Sequence, residues 1–370
     1  MLPINSFFFD FQKRIEELSG YEKERFVNIF WQKVSSMRCP LIFRDEVIFL
    51  TRNRYENVEL LGDINNWKPG SHPMRKMTST DITFLPVELP HDAAVEYKMI
   101  IGGNYTLDLL NPTKSRGQLG ENSLLKMPYY HENEELNYQE NPGGQLLDFV
   151  LKSKHLGYFS TVYVYLPNDF NPETRYDYLI FLDGHNYLQY GSIVTVLDNL
   201  FHRKKFHPCL AFFVESRDYT HEFSCNPDYP LFFFEELLPM LHEKFLLTSD
   251  RNNLVIGEAM AGIAVLQIFL SSSSFDAIVQ SVPLGHLKDY FFHLFAEKGR
   301  SLQRLILQSG TFETSINGVD IFRETRELSN LIKEAGNFKF IPQFFPEGHS
   351  WHNWSNHLID AMMKMKYDVF

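Results

Sequence analysis

The sequence is poor in cysteine and has no long apolar run, and both shortages narrow what the chain can be. Only three of its 370 residues are cysteine (Cys39, Cys209 and Cys225), and none of them form a Cys-x-x-Cys pair. This number and spacing predict neither a disulfide framework nor a zinc site, and they suit a reducing compartment. No stretch approaches the roughly 20 apolar residues that span a bilayer. The N-terminus has no basic start before its short apolar run, so we expect no signal peptide and a cytoplasmic location.

Positive charge is also scarce. The chain has 35 lysines and arginines against 46 aspartates and glutamates, which gives a net charge of −11. An acidic chain of this kind is a poor binder of nucleic acid through its overall field. The sequence also lacks a His-Glu-x-x-His pair, a glycine-rich phosphate loop and a dinucleotide fingerprint. We therefore expect no metal, no cofactor and no nucleic-acid partner.

The hydrophobic pattern divides the chain into four segments. Residues 1–36 have apolar side chains three and four apart, which is typical of amphipathic helices. Residues 37–130 consist of short β-rich runs between turns, which predicts a small β-sandwich. Residues 131–145 are polar, end in Pro-Gly-Gly and are interpreted as a linker. In residues 146–370 apolar strands alternate with helical stretches, which predicts a mostly parallel sheet with helices on both faces, and so an α/β fold.

The stretch "NLVIGEAMAGIAVLQIFL", residues 253–270, has the context of a nucleophile elbow. A buried strand, a turn of small residues and a buried helix follow one another, as in the Gly-x-Ser-x-Gly turn of α/β hydrolases. Ala259 stands at the position of the serine, and Ala261 replaces the second glycine. The alternative interpretation is a tight strand-to-helix crossover with no catalytic past.

Two further residues complete a candidate triad in the chain order nucleophile, acid, base. His349, in "FPEGHSWHNW", follows an apolar strand and a Glu-Gly turn near the C-terminus, where an α/β hydrolase places its general base. His352 and His357 are weaker rivals. Glu313, three residues after a strand that ends at Gly310, is the candidate acid.

Alternatives to this acid stay open, because Asp320 is a runner-up and either carboxylate could cap a helix or face solvent. For the oxyanion hole, one donor would be the backbone N–H of Met260. The other would come from the "LIFLDGHNYL" loop, which offers Gly184, His185 and Asn186. A plain turn is the alternative for that loop.

These segments together resemble the enterochelin (ferric enterobactin) esterase family of esterase D-like α/β hydrolases. The resemblance covers nearly the whole chain, and it includes "SRDYTHEFSCNPDYPLFFFEELLP" and "QSGTFE" as well as the segments above. In the N-terminal half, "VELLGDINNWKPGSHPMRKM", "VEYKMII" and "DLLNP" resemble the early-set immunoglobulin-like domain of these esterases, which is related to glycogen-binding modules.

The resemblance implies roles for individual residues. His349 matches the base, Glu313 the acid, and Ala259 falls on the nucleophilic serine. The residues that would line the substrate pocket are Arg217, Glu222, Asn226, Asn186 and Trp351. Family members hydrolyse esters, several of them in catechol siderophores in the cytoplasm, so a small-molecule ester is the expected substrate.

Ala259 is the departure from the family pattern, because a methyl group cannot form an acyl-enzyme. The favoured hypothesis is a serine esterase whose nucleophile has been replaced by engineering, since the base, acid and oxyanion loop all remain. A natural pseudoenzyme that binds an ester, a siderophore or a partner is the second hypothesis. The third is a carbohydrate-binding role through Trp67 in the N-terminal domain. The sequence leaves self-association open.

Overall fold

The computed structural model describes residues 4–248 and 253–369. It separates into two compact units, Met1–His131 with Pro346–Ser350, and Glu132–Phe345 with Trp351–Phe370. Within the described ranges no helix is long and apolar enough to cross a membrane.

The first unit begins with two helices that pack through phenylalanine side chains. They are α1 (Ile4–Glu17) and α2 (Gly20–Ser35). The rings of Phe11 and Phe30 stack at 3.6 Å between centroids, and Phe8 lies in the same cluster. Gly20, the first residue of α2, has φ +54, a left-handed conformation that glycine adopts without steric cost.

Two antiparallel sheets make up the rest of the first unit. One has the strand order β1-β2-β5-β4, and the other has the order β3-β6-β9-β8 with β7 beside β6. The rings of Phe49 and Tyr97, one from each sheet, meet edge to face at 4.9 Å. The strands are β1 (Leu41–Phe43), β2 (Glu46–Arg52), β3 (Val58–Gly62), β4 (Arg75–Lys76), β5 (Ile82–Glu88), β6 (Ala94–Ile101), β7 (Asn104–Thr106), β8 (Lys114–Gly117) and β9 (Gly120–Lys126).

The second unit is built on an eight-stranded sheet with the order β10-β11-β13-β12-β14-β15-β16-β17. Strand β10 is antiparallel to β11, and β11 is antiparallel to β13. The other six strands, β12 to β17, run parallel to one another. The strands are β10 (Gln145–Lys152), β11 (Phe159–Leu166), β12 (Tyr178–Leu182), β13 (Leu210–Val214), β14 (Leu254–Glu258), β15 (Asp276–Gln280), β16 (Arg304–Gly310) and β17 (Lys339–Phe345).

Helices cover both faces of this sheet. Within β12, Ile180 and Leu182 enter one apolar core and Leu179 and Phe181 enter the other, because successive side chains of a strand point to opposite faces. The α/β hydrolase class and the smaller β-rich N-terminal unit predicted from the sequence are confirmed. The helices are α3 (Gly184–Gln189), α4 (Ile193–His202), α5 (Tyr219–Phe223), α6 (Asp228–Leu231), α7 (Leu238–Lys244), α8 (Ala261–Ser271), α9 (Lys288–Glu297), α10 (Ile321–Ala335) and α11 (Trp351–Tyr367).

Much of the segment interpreted as a linker is packed rather than free. The side-chain amide of Asn199 in α4 donates to the carbonyls of Glu135 (2.8 Å) and Asn137 (2.9 Å). The backbone N–H of Asn133 donates to the side chain of Asn356 in α11 at 2.8 Å. These bonds satisfy polar groups in the interior, and Asn133 and Glu135 are the two buried residues of the segment.

Candidate active site

The turn between β14 and α8 has the sharp geometry of a nucleophile elbow. Ala259 has φ +45, in the left-handed region that a residue with a Cβ atom adopts at a cost of about 1–2 kcal/mol. Its N–H donates to the carbonyl of Gln280 (2.9 Å), and its own carbonyl accepts from Gly262 (3.1 Å). The strained turn that the sequence predicts is therefore present, with alanine at its apex.

Small residues around Ala259 are required by close packing. A Cβ atom added to Gly257 would lie 2.8 Å from a methyl carbon of Val265 and 3.0 Å from the backbone of Ala261. One added to Gly262 would lie 3.0 Å from a methyl carbon of Val279. A distance of 2.8 Å essentially never occurs for a Cβ atom, and 3.0 Å is tighter than most packed contacts. The glycines therefore allow the helix to pack closely against the sheet.

Two buried carboxyl groups flank the elbow, and the sequence analysis missed both. Glu258 ends β14, and Asp183 follows β12, the neighbouring parallel strand. Each carboxyl group lies close enough to the other to change its pKa. Burial, and then the charge of Asp183, raise the pKa of Glu258 well above its usual range, and burial also raises the pKa of Asp183. Like charges this close cannot both ionise easily, so the pair holds a proton.

Tyr219 stands beside the same carboxyl pair and was also missed. Burial raises the pKa of its hydroxyl, and the charges of Glu258 and Asp183 add to that effect. The backbone N–H of Met260 acts on the pKa of this hydroxyl in the opposite direction. A protonated phenol is thus adjacent to the N–H predicted to be an oxyanion donor.

The loop predicted to supply the second oxyanion donor begins α3. A Cβ atom on Gly184 would lie 2.4 Å from the backbone of Phe213, so only glycine fits there. The side-chain amide of Asn186 donates to Asp183 at 2.6 Å. His185 is exposed, with its ring 6.5 Å from that of Tyr163. The donors of this loop are therefore fixed by packing and by the buried carboxyl pair.

Glu222 organises the loop that carries Arg217. One of its carboxylate oxygens accepts from the hydroxyl of Tyr158 (2.5 Å), the N–H of Arg217 (2.9 Å) and the N–H of Asp218 (3.0 Å). Its side chain is only 1% exposed. Because three donors of the protein itself bind this oxygen, Glu222 holds the conformation of the loop. A direct contact of Glu222 with substrate stays a prediction.

Beside this loop lies a cavity of about 620 Å³ with aromatic and cationic walls. The guanidinium of Arg217 lies 5.5 Å from the centre of the Tyr158 ring. Lys152 supplies a second positive charge and Asp218 a negative one, and Tyr219 also lines the cavity. Rings together with cations suit a planar anionic ligand.

Asn226 and Trp351, the other residues assigned to the pocket, are engaged within the protein. The side-chain oxygen of Asn226 accepts from the N–H of Asp228 at 2.9 Å, and its amide nitrogen lies 3.3 Å from His221. Trp351 is 6% exposed, and its ring meets that of Tyr187 edge to face at 5.1 Å. Their roles in substrate binding stay predictions.

The two candidate acids differ in their surroundings. Glu313 is fully buried, three residues beyond β16, and its carbonyl accepts from the N–H of Phe322 at 3.2 Å. Asp320 caps α10, because its carboxylate accepts from the N–H of Arg323 at 3.0 Å. A carboxylate used as a helix cap is already committed, which favours Glu313.

His349 lies in the segment Pro346–Ser350, which follows β17 and is grouped with the first unit. The N–H of Ala94 donates to the carbonyl of Pro346 at 3.2 Å. A Cβ atom on Gly348 would lie 2.1 Å from the carboxyl carbon of Asp63, so this carboxyl group packs against the backbone of Gly348 at a distance that only glycine allows. The segment that carries the candidate base is therefore held tightly.

Asp63, the residue against which Gly348 packs, is itself fixed by hydrogen bonds. It accepts from the indole N–H of Trp67 (3.0 Å) and from the N–H of Glu96 (2.7 Å). Burial, and then the charge of Glu96, raise its pKa well above the usual range. Trp67 is half-buried with its indole N–H donated, and the glucan hypothesis stays a prediction.

The rival histidines have other environments. The ring of His357 stacks on that of Phe345 at 3.3 Å, and burial lowers its pKa to about 3, so it is neutral and packed. Nδ1 of His352 lies 3.9 Å from Glu132. In the part of the chain that the structure describes, no group of three or more His, Cys, Asp or Glu side chains could hold a metal ion.

Comparison with known proteins identifies the family. The model of the family described as "Putative esterase" matches residues 153–365, more than half of the chain. The chain belongs to this esterase family. It is 25% identical over 230 residues to the uncharacterized protein YjcH of Bacillus subtilis, covering 58% of this chain and 94% of that protein. It is 28% identical over 165 residues to the iron(III) enterobactin esterase of Escherichia coli O6:H1, covering 43% of this chain and 41% of that enzyme.

The fold matches solved enterobactin esterases along most of the chain. The ferric enterobactin esterase of Salmonella typhimurium superimposes with a TM-score of 0.76 at 18% identity, covering 92% of this chain and 99% of that one. The Shigella flexneri enzyme, crystallised in the presence of enterobactin, gives 0.74 at 19% identity, covering 92% and 98%. Identities this low show the fold alone. With the family match, they confirm the predicted resemblance to enterochelin esterases.

Proposed function

We propose that the parent form of this esterase is a serine carboxylic ester hydrolase, and that the present chain is its form without a nucleophile. The observation that carries the proposal is Ala259 at φ +45 on a sharp strand-to-helix turn. A turn of this kind presents the side chain of its apex residue above the sheet. With alanine at this position, the apex of the turn carries a methyl group where the proposed mechanism needs a hydroxyl.

The proposed mechanism is acyl transfer. A serine at position 259 attacks the ester carbonyl while His349 takes its proton, and Glu313 orients the imidazole. The N–H of Met260 and a donor from the loop at Gly184 stabilise the tetrahedral oxyanion. The imidazolium of His349 gives this proton to the departing alkoxide, which leaves as an alcohol. His349 then takes a proton from water, which attacks the acyl-enzyme, and returns it to the serine oxygen as the acid is released. No metal or cofactor enters any step.

The chemistry of the cavity supports a substrate that combines aromatic rings with negative charge. The net charge of −11 repels anions at long range, so attraction must be local, and Arg217 can supply it. A catechol siderophore ester has both properties. Related proteins whose names describe enterobactin hydrolysis point the same way. The buried free thiols Cys39 and Cys209 fit the proposed cytoplasmic location.

A natural pseudoenzyme is the second candidate, and one observation favours it. The backbone N–H of Met260, the expected oxyanion donor, influences the pKa of the Tyr219 hydroxyl, which places this hydroxyl near the expected oxyanion hole. A protein that only captures its ligand has no need of a vacant oxyanion hole. This account predicts ligand binding without turnover both in the present chain and in a serine variant.

The Ala259→Ser variant tests the proposal. Assayed on p-nitrophenyl esters and on a tricatechol trilactone, it should exceed the present chain by about 10⁶-fold in kcat, the loss typical of a missing triad nucleophile. Adding His349→Ala should abolish the gain, whereas adding His352→Ala should leave it. A folded Ala259→Ser protein that binds these esters but does not hydrolyse them contradicts the proposal and supports the pseudoenzyme.

A further inference from the structure

Strand β10 forms an unusually exposed edge of the eight-stranded sheet. Across the described residues it pairs with β11 and with no other strand. Four large apolar side chains of these two strands are exposed: Leu146 (43%), Leu147 (49%), Val150 (58%) and Phe159 (56%). Proteins usually blunt such edges with proline, bulges or very short strands. β10 has eight residues, no proline and an unbroken register with β11.

The free hydrogen-bonding groups of β10 belong to alternate residues. The N–H of Ser153 donates to the carbonyl of Tyr158 at 2.9 Å, which makes this a hydrogen-bonded pair of the hairpin. Hydrogen-bonded and non-hydrogen-bonded pairs alternate along antiparallel strands. The residues Leu147, Phe149 and Leu151 therefore bond to β11. The backbone groups directed away from the sheet are those of Leu146, Asp148, Val150 and Lys152.

The charges of β10 are self-complementary in one antiparallel alignment with a second copy. When Val150 lies on the twofold axis, Asp148 of each copy is opposite Lys152 of the other, and Phe149 is opposite Leu151. The outward-directed backbone groups of Asp148, Val150 and Lys152 then face those of the second copy. An alignment centred on Asp148 or on Lys152 would instead set like charges opposite, which is destabilising.

We propose that the protein forms a homodimer through β10, with Val150 on the twofold axis and the two eight-stranded sheets joined into one. The pairing satisfies the free backbone groups of both edges, forms two Asp148–Lys152 ion pairs between copies and covers Leu146, Leu147 and Val150. Interfaces between identical chains with closed twofold symmetry are the commonest oligomeric arrangement. This proposal does not depend on the esterase activity.

The test is the mass of the full chain in solution, measured by light scattering after size exclusion and by sedimentation. The unaltered chain should have twice the mass of one chain at high concentration. Val150→Lys, which places two ammonium groups at the axis, should give monomers. Leu302→Lys, at an exposed apolar residue far along the chain (64% exposed), is the matched control and should remain dimeric.

Charge exchange tests the alignment. Asp148→Lys and Lys152→Asp should each weaken the dimer at least tenfold, because each sets like charges opposite, and the double variant should restore it. Circular dichroism and the melting temperature confirm that each variant is folded. The proposal is overturned if the unaltered chain is monomeric, or if Val150→Lys leaves the dimer intact. So does an edge that binds an extended peptide without self-association, or a double variant as weak as the single ones.

Discussion

Replacing Glu222 with glutamine should loosen the loop that walls the cavity. One buried carboxylate oxygen accepts three hydrogen bonds, from Tyr158, Arg217 and Asp218. A hydrogen bond to a charged acceptor contributes about 1.5–3 kcal/mol, and one to a neutral acceptor about 0.5–1.5 kcal/mol. Glutamine keeps an acceptor oxygen but loses the charge, so about 1 kcal/mol is lost per bond. Since the three bonds share one oxygen and are not additive, we expect a loss of about 1–3 kcal/mol in unfolding free energy.

Urea unfolding followed by tryptophan fluorescence measures this loss. Glu243→Gln, at an exposed position of α7, is the matched control and should change stability by less than about 0.5 kcal/mol. Tyr158→Phe removes the phenolic donor alone. Combined with Glu222→Gln it completes a double-mutant cycle, in which we expect a coupling of about 1 kcal/mol. A glutamine variant as stable as the control, or a cycle without coupling, would refute the reasoning that Glu222 anchors the loop.

Three further predictions concern the elbow and the segment that carries His349. Glu258 holds its proton more tightly in the folded chain, so the folded state loses stability as pH rises above the pKa of the unfolded state. Between about pH 5 and pH 8, Glu258→Gln should therefore lose less stability than the unaltered chain. An unchanged slope of melting temperature against pH contradicts this. Gly257→Ala places a methyl group 2.8 Å from a side-chain carbon and should cost about 1–3 kcal/mol in urea unfolding, against no loss for Gly299→Ala, where the space is open. In Gly348→Ala the new methyl group would lie 2.1 Å from the carboxyl carbon of Asp63. Combined with Ala259→Ser, this substitution should lower kcat more than Gly299→Ala does. Equal kcat values would show that the contact between Gly348 and Asp63 does not position His349.

The elbow could be predicted from the sequence because its requirements are local. A strand, a turn and a helix follow one another within residues 253–270, and the need for glycine at 257 and 262 arises from packing within that motif and its neighbouring strand. The α/β class was equally accessible, because strands buried on both faces have continuous apolar runs. Each of these inferences used residues close together in the chain.

The groups that the sequence analysis missed depend on contacts between distant segments. Asp183 and Glu258 meet because β12 lies beside β14, and the chain order alone does not specify that neighbour. Tyr219 reaches the same place from a short helix after β13. A glutamate inside "GEAMAG" was a signal in principle, since a carboxylate at the buried end of a strand needs a partner. To identify that partner as Asp183, the strand order and register of the sheet must be known.

The conformation of Ala259 bears on the proposal that alanine has replaced a serine at this position. Replacing serine by alanine removes one oxygen atom and leaves the backbone strain of the turn in place. In a protein that no longer needs a nucleophile, glycine at position 259 would remove that strain, because glycine adopts φ +45 without steric cost. Here the strained turn, the glycines packed around it and the buried acid at position 313 all persist. Their persistence supports the replacement of a single atom in an otherwise intact hydrolase, and it predicts that restoring the serine needs no second change.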